Sequence, residues 1–151
     1  MALAAELGLI GSVKFFNPVN IDRIARIMRE ADLGIVPKRA DSFGNEAYST
    51  KIMEFMSLGV PMVVSSTKVD RYYFNDSIVR FFESGNADQL ADAMFDVLTN
   101  QQLRDSMTMR AFEYVRQNNW GTQKHSYLNL VDRLCAVPAP LEAPARQTNA
   151  S

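Results

Sequence analysis

Marked as apolar and polar positions, the chain alternates short apolar runs with longer stretches in which apolar residues return at helical spacing. The first run, VKFF at 13–16, predicts a strand closed by Asn17 and Pro18. Asn20 follows as the cap of a helix that places Ile21, Ile24, Ala25, Met28 and Ala31 on one face. LGIVPK at 33–38 predicts a second strand, unbroken in its apolar character as in a parallel sheet covered on both sides. A polar loop over 39–49 leads to a helix beginning near Thr50, which Gly59 and Pro61 bring to an end. PMVVSS at 61–66 and SIVRFF at 77–82 predict the third and fourth strands.

From Asn86 the pattern is helical. One helix turns Leu90, Ala93, Met94, Val97 and Leu98 inward, with Gln89 placed as in a capping box. Asn100 opens the next, burying Leu103, Met107, Ala111 and Tyr114, and a last helix from about Thr122 buries Tyr127, Leu130, Val131 and Leu134. Strand–helix alternation with short connections means βαβ units, hence an α/β fold with a Rossmann-like parallel sheet, helices on both faces, and helices at the C-terminal end. Residues 1–135 form one domain in this reading. The proline- and alanine-rich stretch 136–151 has no apolar period and is expected to be a disordered tail.

Composition narrows the classes without choosing among them. A formal net charge of −1 argues against a broad nucleic-acid footprint, and no apolar run approaches the roughly 20 residues needed to span a membrane. The N-terminus has no basic region ahead of its apolar residues and does not read as a signal peptide. The single cysteine, Cys135, rules out a disulfide framework, fits a reducing and therefore cytoplasmic compartment, and is expected to pack as a small hydrophobe. One histidine, His125, can make neither a triad nor a metal cluster and reads as a surface residue.

In parallel sheets ligands bind where strands end and helices begin, which directs attention to NEAYSTKIMEF at 45–55. The first amides of the helix starting near Thr50 lack internal partners and carry the positive end of its dipole. Ser49 or Thr50 can cap that helix or join Lys51 in holding a phosphate. Glu54 can pair with Lys51 on the helix surface, or its two acceptor oxygens can hold the vicinal hydroxyls of a ribose. Glu46 is either a solvated loop acid or a contact to a sugar attached to the same diphosphate. Lys38 and Arg39 face either an anion or solvent. Arg71, Tyr72 and Tyr73 read as the packing of a short helix.

Glu46, seven residues, Glu54, then FMSLGVP and an apolar strand together resemble the donor-site signature of retaining GT-B glycosyltransferases, the glycosyl transferases group 1 family. LGLIGSVKFFNPVNIDRIARIMREADLGIVP, ESGNADQLADAMFDVLTN and NNWGTQKHSYLNLVDRL are similar to stretches of that family in the same order, so the resemblance covers about residues 5–135. It implies the C-terminal half of a GT-B fold, with a UDP-, GDP- or ADP-sugar as donor substrate and neither cofactor nor metal. Glu46 would be the catalytic position, contacting sugar hydroxyls. Glu54 would hold the ribose, Tyr48, Ser49, Thr50 and Lys51 would face the phosphates, and Phe16 and Asn17 would line the base. The transfer would retain configuration, serve polysaccharide biosynthesis and deliver the sugar to a glycan or lipid-linked acceptor.

The resemblance also implies an upstream strand–helix segment carrying a basic Arg/Lys pair, and an N-terminal acceptor-binding domain. Neither is in this sequence, so the donor domain is expected to be incomplete at its start and to transfer nothing alone. The family's FG is displaced: SFG at 42–44 precedes Glu46 instead of following it. The alternative is a non-catalytic or split-chain module that binds nucleotide only with a partner domain. The reading is compatible with peripheral membrane association through the full-length protein and with homo-oligomers through an exposed sheet edge. A flavodoxin-like signalling domain would need an acidic cluster after the first strand, and VKFFNPVN has none.

Overall fold

A computed structural model describes residues 2–136. Its elements run α1 (Ala2–Glu6), α2 (Ile21–Arg29), β1 (Gly34–Val36), α3 (Thr50–Ser57), β2 (Met62–Ser66), α4 (Lys68–Tyr73), β3 (Arg80–Glu83), α5 (Ala87–Thr99), α6 (Gln101–Gln117) and α7 (Trp120–Cys135). The three strands form one parallel sheet in the order β1-β2-β3, with Ile35 beside Val63 and Val64 beside Phe81. The chain divides into two compact units between Val115 and Arg116.

The first unit is built on the central strand. Side chains alternate across a sheet, so β2 serves both of its faces. Met62 and Val64 point into a cluster with Val36, Ile52 and Met56 of α3, Phe74, Val79, Phe81 and Ala111. Val63 points the other way, to Phe82, Ala93 and Val97 of α5, and Met107 of α6. Burying each of these larger side chains contributes about 1.5–3 kcal/mol. Because both faces are covered, β2 needs an unbroken apolar run, and that run is what made it legible.

The polar positions that end the helices behave as their chemistry requires. Asn20 accepts from the Arg23 N–H, Asn86 from Gln89, and Asn100 from Leu103. Gln89 does not close a reciprocal capping box; its Oε1 accepts from the Glu83 N–H and ties the end of β3 to α5. Gly59, at φ 73, leaves α3 in the left-handed region before β2 begins.

Four sequence expectations are corrected. VKFF at 13–16 is not a strand: it pairs with nothing, and Phe15 and Phe16 are exposed. A strand needs the hydrogen bonds of a neighbour, which an apolar run cannot supply by itself. Leu98 lies on the outer side of α5. In the second unit α7 forms, capped by Asn119, but Tyr127, Leu130 and Leu134 are exposed and Val131 is half-buried. Cys135 is likewise exposed rather than packed. The expected tail at 136–151 lies outside the described residues but for Ala136, which caps α7.

Candidate functional site

Three chain segments leave the C-terminal end of the sheet: 37–49 from β1 into α3, Thr67 from β2 into α4, and 84–86 from β3 into α5. The first carries most of the residues singled out above. Asp41 opens it with a tight turn, its Oδ1 accepting from the Gly44 N–H at 2.7 Å while its carbonyl accepts from Asn45. Gly44 is buried in that turn. Asn45 then fastens the loop to α4: its Oδ1 accepts from the Lys68 N–H and its carbonyl from the Val69 N–H, at 3.0 and 3.1 Å. The displaced SFG is thus the turn that delivers Asn45 and Glu46 to α4.

Glu46 stands exposed beside Lys68, whose Nζ lies 3.4 Å from its Oε1. Tyr48 lies edge-on to Tyr73, with ring centroids 5.0 Å apart, and touches Phe74. Burial, chiefly, and the neighbouring Tyr114, Tyr73 and Asp70 push its phenol up to about 12. An unfolded tyrosine titrates near 10, so the folded chain holds this proton more tightly. The contribution to stability is therefore whole below pH about 10 and is lost as pH rises through about 12. Tyr48→Phe is expected to flatten the alkaline fall in the urea midpoint over that interval. Tyr114, raised in the same direction by burial, leaves a residue of the effect.

At α3 the structure departs from the simplest reading. Ser49 occupies the cap position, yet its side chain makes no capping bond to the helix, unlike Asn20, Thr67, Asn86 and Asn119 at theirs. Thr50 and Lys51 are exposed at the helix start, and among the described residues Lys51 makes no ion pair. The surface pair between Lys51 and Glu54, one of the two alternatives for this acid, is not among the ion pairs of the described residues. Glu54 faces elsewhere: with Ser57 and Leu58 it forms one wall of a groove of about 480 Å³, opposite Val19, Ile21, Ile24, Ala25 and Met28. Phe16 and Asn17 are exposed just ahead of Val19, where the groove's lining begins.

Glu46 and Glu54 are joined by no hydrogen bond; what lies between them is the start of α3. Lys38 and Arg39 divide. Lys38 is held by the buried Asp70 at 2.8 Å, whereas Arg39 is exposed. Arg71 lies 3.8 Å over the Phe81 ring and pairs with Asp76. Sequence reasoning passed over Asn45, Thr67, Lys68 and Asp70. For two of them a signal was present, since Thr-x-x-Asp before a helix is a capping pattern, and Thr67 does accept from the Asp70 N–H. Among the described residues no group of three His, Cys, Asp or Glu side chains is placed to hold a metal ion, and no helix is long and apolar enough to cross a membrane.

Known proteins resemble this chain in sequence and in fold. The family Glycosyl transferases group 1 matches residues 1–114. A phosphatidyl-myo-inositol mannosyltransferase of Mycobacterium leprae is 30% identical over 114 residues, which is 75% of this chain and 29% of that protein. A D-inositol 3-phosphate glycosyltransferase of Corynebacterium aurimucosum is 27% identical over 139 residues, 91% of this chain and 32% of its own length. The chain therefore spans about a third of the curated relatives it matches. Among solved structures, a sucrose-phosphate synthase from Thermosynechococcus elongatus superposes with a TM-score of 0.78 at 19% identity, over 88% of this chain and 33% of that one. The C-terminal domain of a group 1 family glycosyl transferase from Francisella tularensis gives 0.64 at 15% identity, over 78% and 58%. The parallel sheet and the matched 114 residues agree: the chain belongs to the glycosyl transferases group 1 family, with the fold of the C-terminal half of a GT-B protein.

Proposed function

We propose that this chain binds the nucleoside-diphosphate sugar used by a retaining glycosyltransferase that acts on a glycan or lipid-linked acceptor. The observation that carries the reading is Glu54, an exposed carboxylate on the wall of an apolar groove, one turn from a helix start whose Ser49 side chain is not engaged in capping. The groove suits the faces of a nucleobase and ribose, and Glu54 suits the ribose hydroxyls. The α3 amides and Lys51 suit the diphosphate, whose negative charge grows as the sugar leaves. Glu46 and Lys68, across that helix start, suit the sugar. The names of the relatives, a mannosyltransferase and glycosyltransferases, agree with a hexosyl donor. The reading places the chain in the cytoplasm, where its single thiol stays reduced.

Titration of the ¹⁵N-labelled chain with UDP, GDP and ADP tests this. One of the three is expected to shift the amides of Thr50–Glu54 together with those of Val19–Met28. Shifts confined to other surfaces, or none with any nucleotide, overturn the reading for this chain. A second reading, a module that binds only against a partner domain, is favoured by the exposed side chains of Leu3, Leu7, Ile10, Phe15 and Phe16. It predicts that the same shifts emerge only once an acceptor-binding domain is added.

A further inference from the structure

The ends of β1 and β2 bring together two charges that the donor site does not use. Lys38 lies just past β1 and Asp70 in α4 just past β2. The Asp70 side chain is fully buried and that of Lys38 is 16% exposed, with Nζ 2.8 Å from Oδ2. Thr67 Oγ1 donates to the same oxygen at 2.6 Å. Asp70 Oδ1 is buried with no hydrogen-bond partner among the described residues, so Lys38 and Thr67 supply the compensation for the carboxylate. The Lys38 main chain is tied as well, its N–H donating to Ser65 Oγ at 2.7 Å.

The lysine has a third engagement: Nζ donates to the Ala47 carbonyl at 2.8 Å. Ala47 sits between Glu46 and Tyr48, in the loop that leads to α3. A buried ion pair is on its own no better for stability than well-packed apolar groups. What apolar groups cannot do is donate a hydrogen bond to a loop carbonyl. We propose that Lys38 and Asp70 form a positioning latch, in which Asp70 holds the ammonium and the ammonium holds loop 45–49, so that Glu46, Tyr48 and the start of α3 keep their places. Its consequence for nucleotide binding rests on the donor-site reading; the latch itself does not.

The test uses the full chain carrying Lys38→Met and Asp70→Leu together, which removes both charges and refills the space. The Asn45, Glu46 and Ala47 N–H groups donate to the Asp41 and Phe43 carbonyls at 3.0, 3.1 and 2.8 Å, so their exchange with solvent can be followed. Exchange at these amides is expected to rise about tenfold or more while amides of β2 and β3 keep their protection. Whichever of UDP, GDP or ADP binds the native chain is expected to bind the variant about tenfold more weakly. Unchanged exchange at the three amides in a folded variant overturns the latch. Accelerated exchange with no nucleotide bound even by the native chain supports the latch and removes the donor-site reading instead. Should the double variant fail to fold, Asp70→Asn keeps the volume and one acceptor oxygen. It should accelerate the same amides about threefold, and no acceleration there overturns the latch equally.

Discussion

Replacing Glu54 by alanine is expected to weaken nucleoside diphosphate binding about a hundredfold while leaving the fold intact. A carboxylate on vicinal hydroxyls makes two charge-assisted hydrogen bonds, and their joint loss is worth about 3 kcal/mol. Stability should not move, because Glu54 is exposed and the hydrogen bonds from Ser57 Oγ and the Leu58 N–H go to its carbonyl rather than its side chain. Calorimetry with UDP, GDP and ADP measures the effect. The 2′-deoxy and 3′-deoxy forms of the binding nucleotide separate the ribose role from a general charge effect. The native chain should lose affinity for each, and the variant should hardly distinguish them. Native-like binding by Glu54→Ala would sink the ribose assignment.

Gly44→Ala is expected to destabilise the first unit by about 1–3 kcal/mol, and to disorganise loop 45–49 more than the sheet. The constraint is space rather than backbone angle, since Gly44 is not among the residues with positive φ. A Cβ there would stand 1.7 Å from the Arg39 carbonyl oxygen and 3.2 Å from Asp41 Oδ1. Arg39 cannot easily retreat. The main chain on either side is pinned, the Lys38 N–H to Ser65 and the Ala40 N–H to Ser84 Oγ at 2.9 Å. Relief must come from the turn that delivers Asn45 to α4. Urea unfolding should show a lowered midpoint, with amide shifts concentrated at 41–49. Gly11→Ala, where an added Cβ meets nothing within 4 Å, is the control and should be neutral. Equal behaviour of the two variants would show that the turn is not packed as described.

The two predictions sit at opposite ends of what local pattern conveys. The place of Glu54 on α3 was legible because the start and end of that helix are marked by residues close to it in the chain. The need for glycine at 44 was not, because the obstructing carbonyl belongs to a main chain held by β2 and by the segment after β3. Ser49 stands between them. Its residue type suits a cap, and it does occupy the cap position, but whether its hydroxyl closes onto the helix depends on side-chain placement that no propensity specifies.

By itself the sequence determined β1 and β2 through their unbroken apolar runs, and the starts of α2, α5 and α6 through asparagines whose side chains reach backbone amides a turn away. The exit of α3 followed from Gly59 and Pro61. All of these are decided within a few residues of one another. Only the tertiary structure decided that VKFF has no strand partner and that the apolar face of α7 stays exposed, since periodicity marks a face as apolar without saying what covers it. It alone set the bond from Lys38 to Asp70 and Ala47, because charges on different elements become neighbours only when the sheet brings the ends of β1 and β2 together.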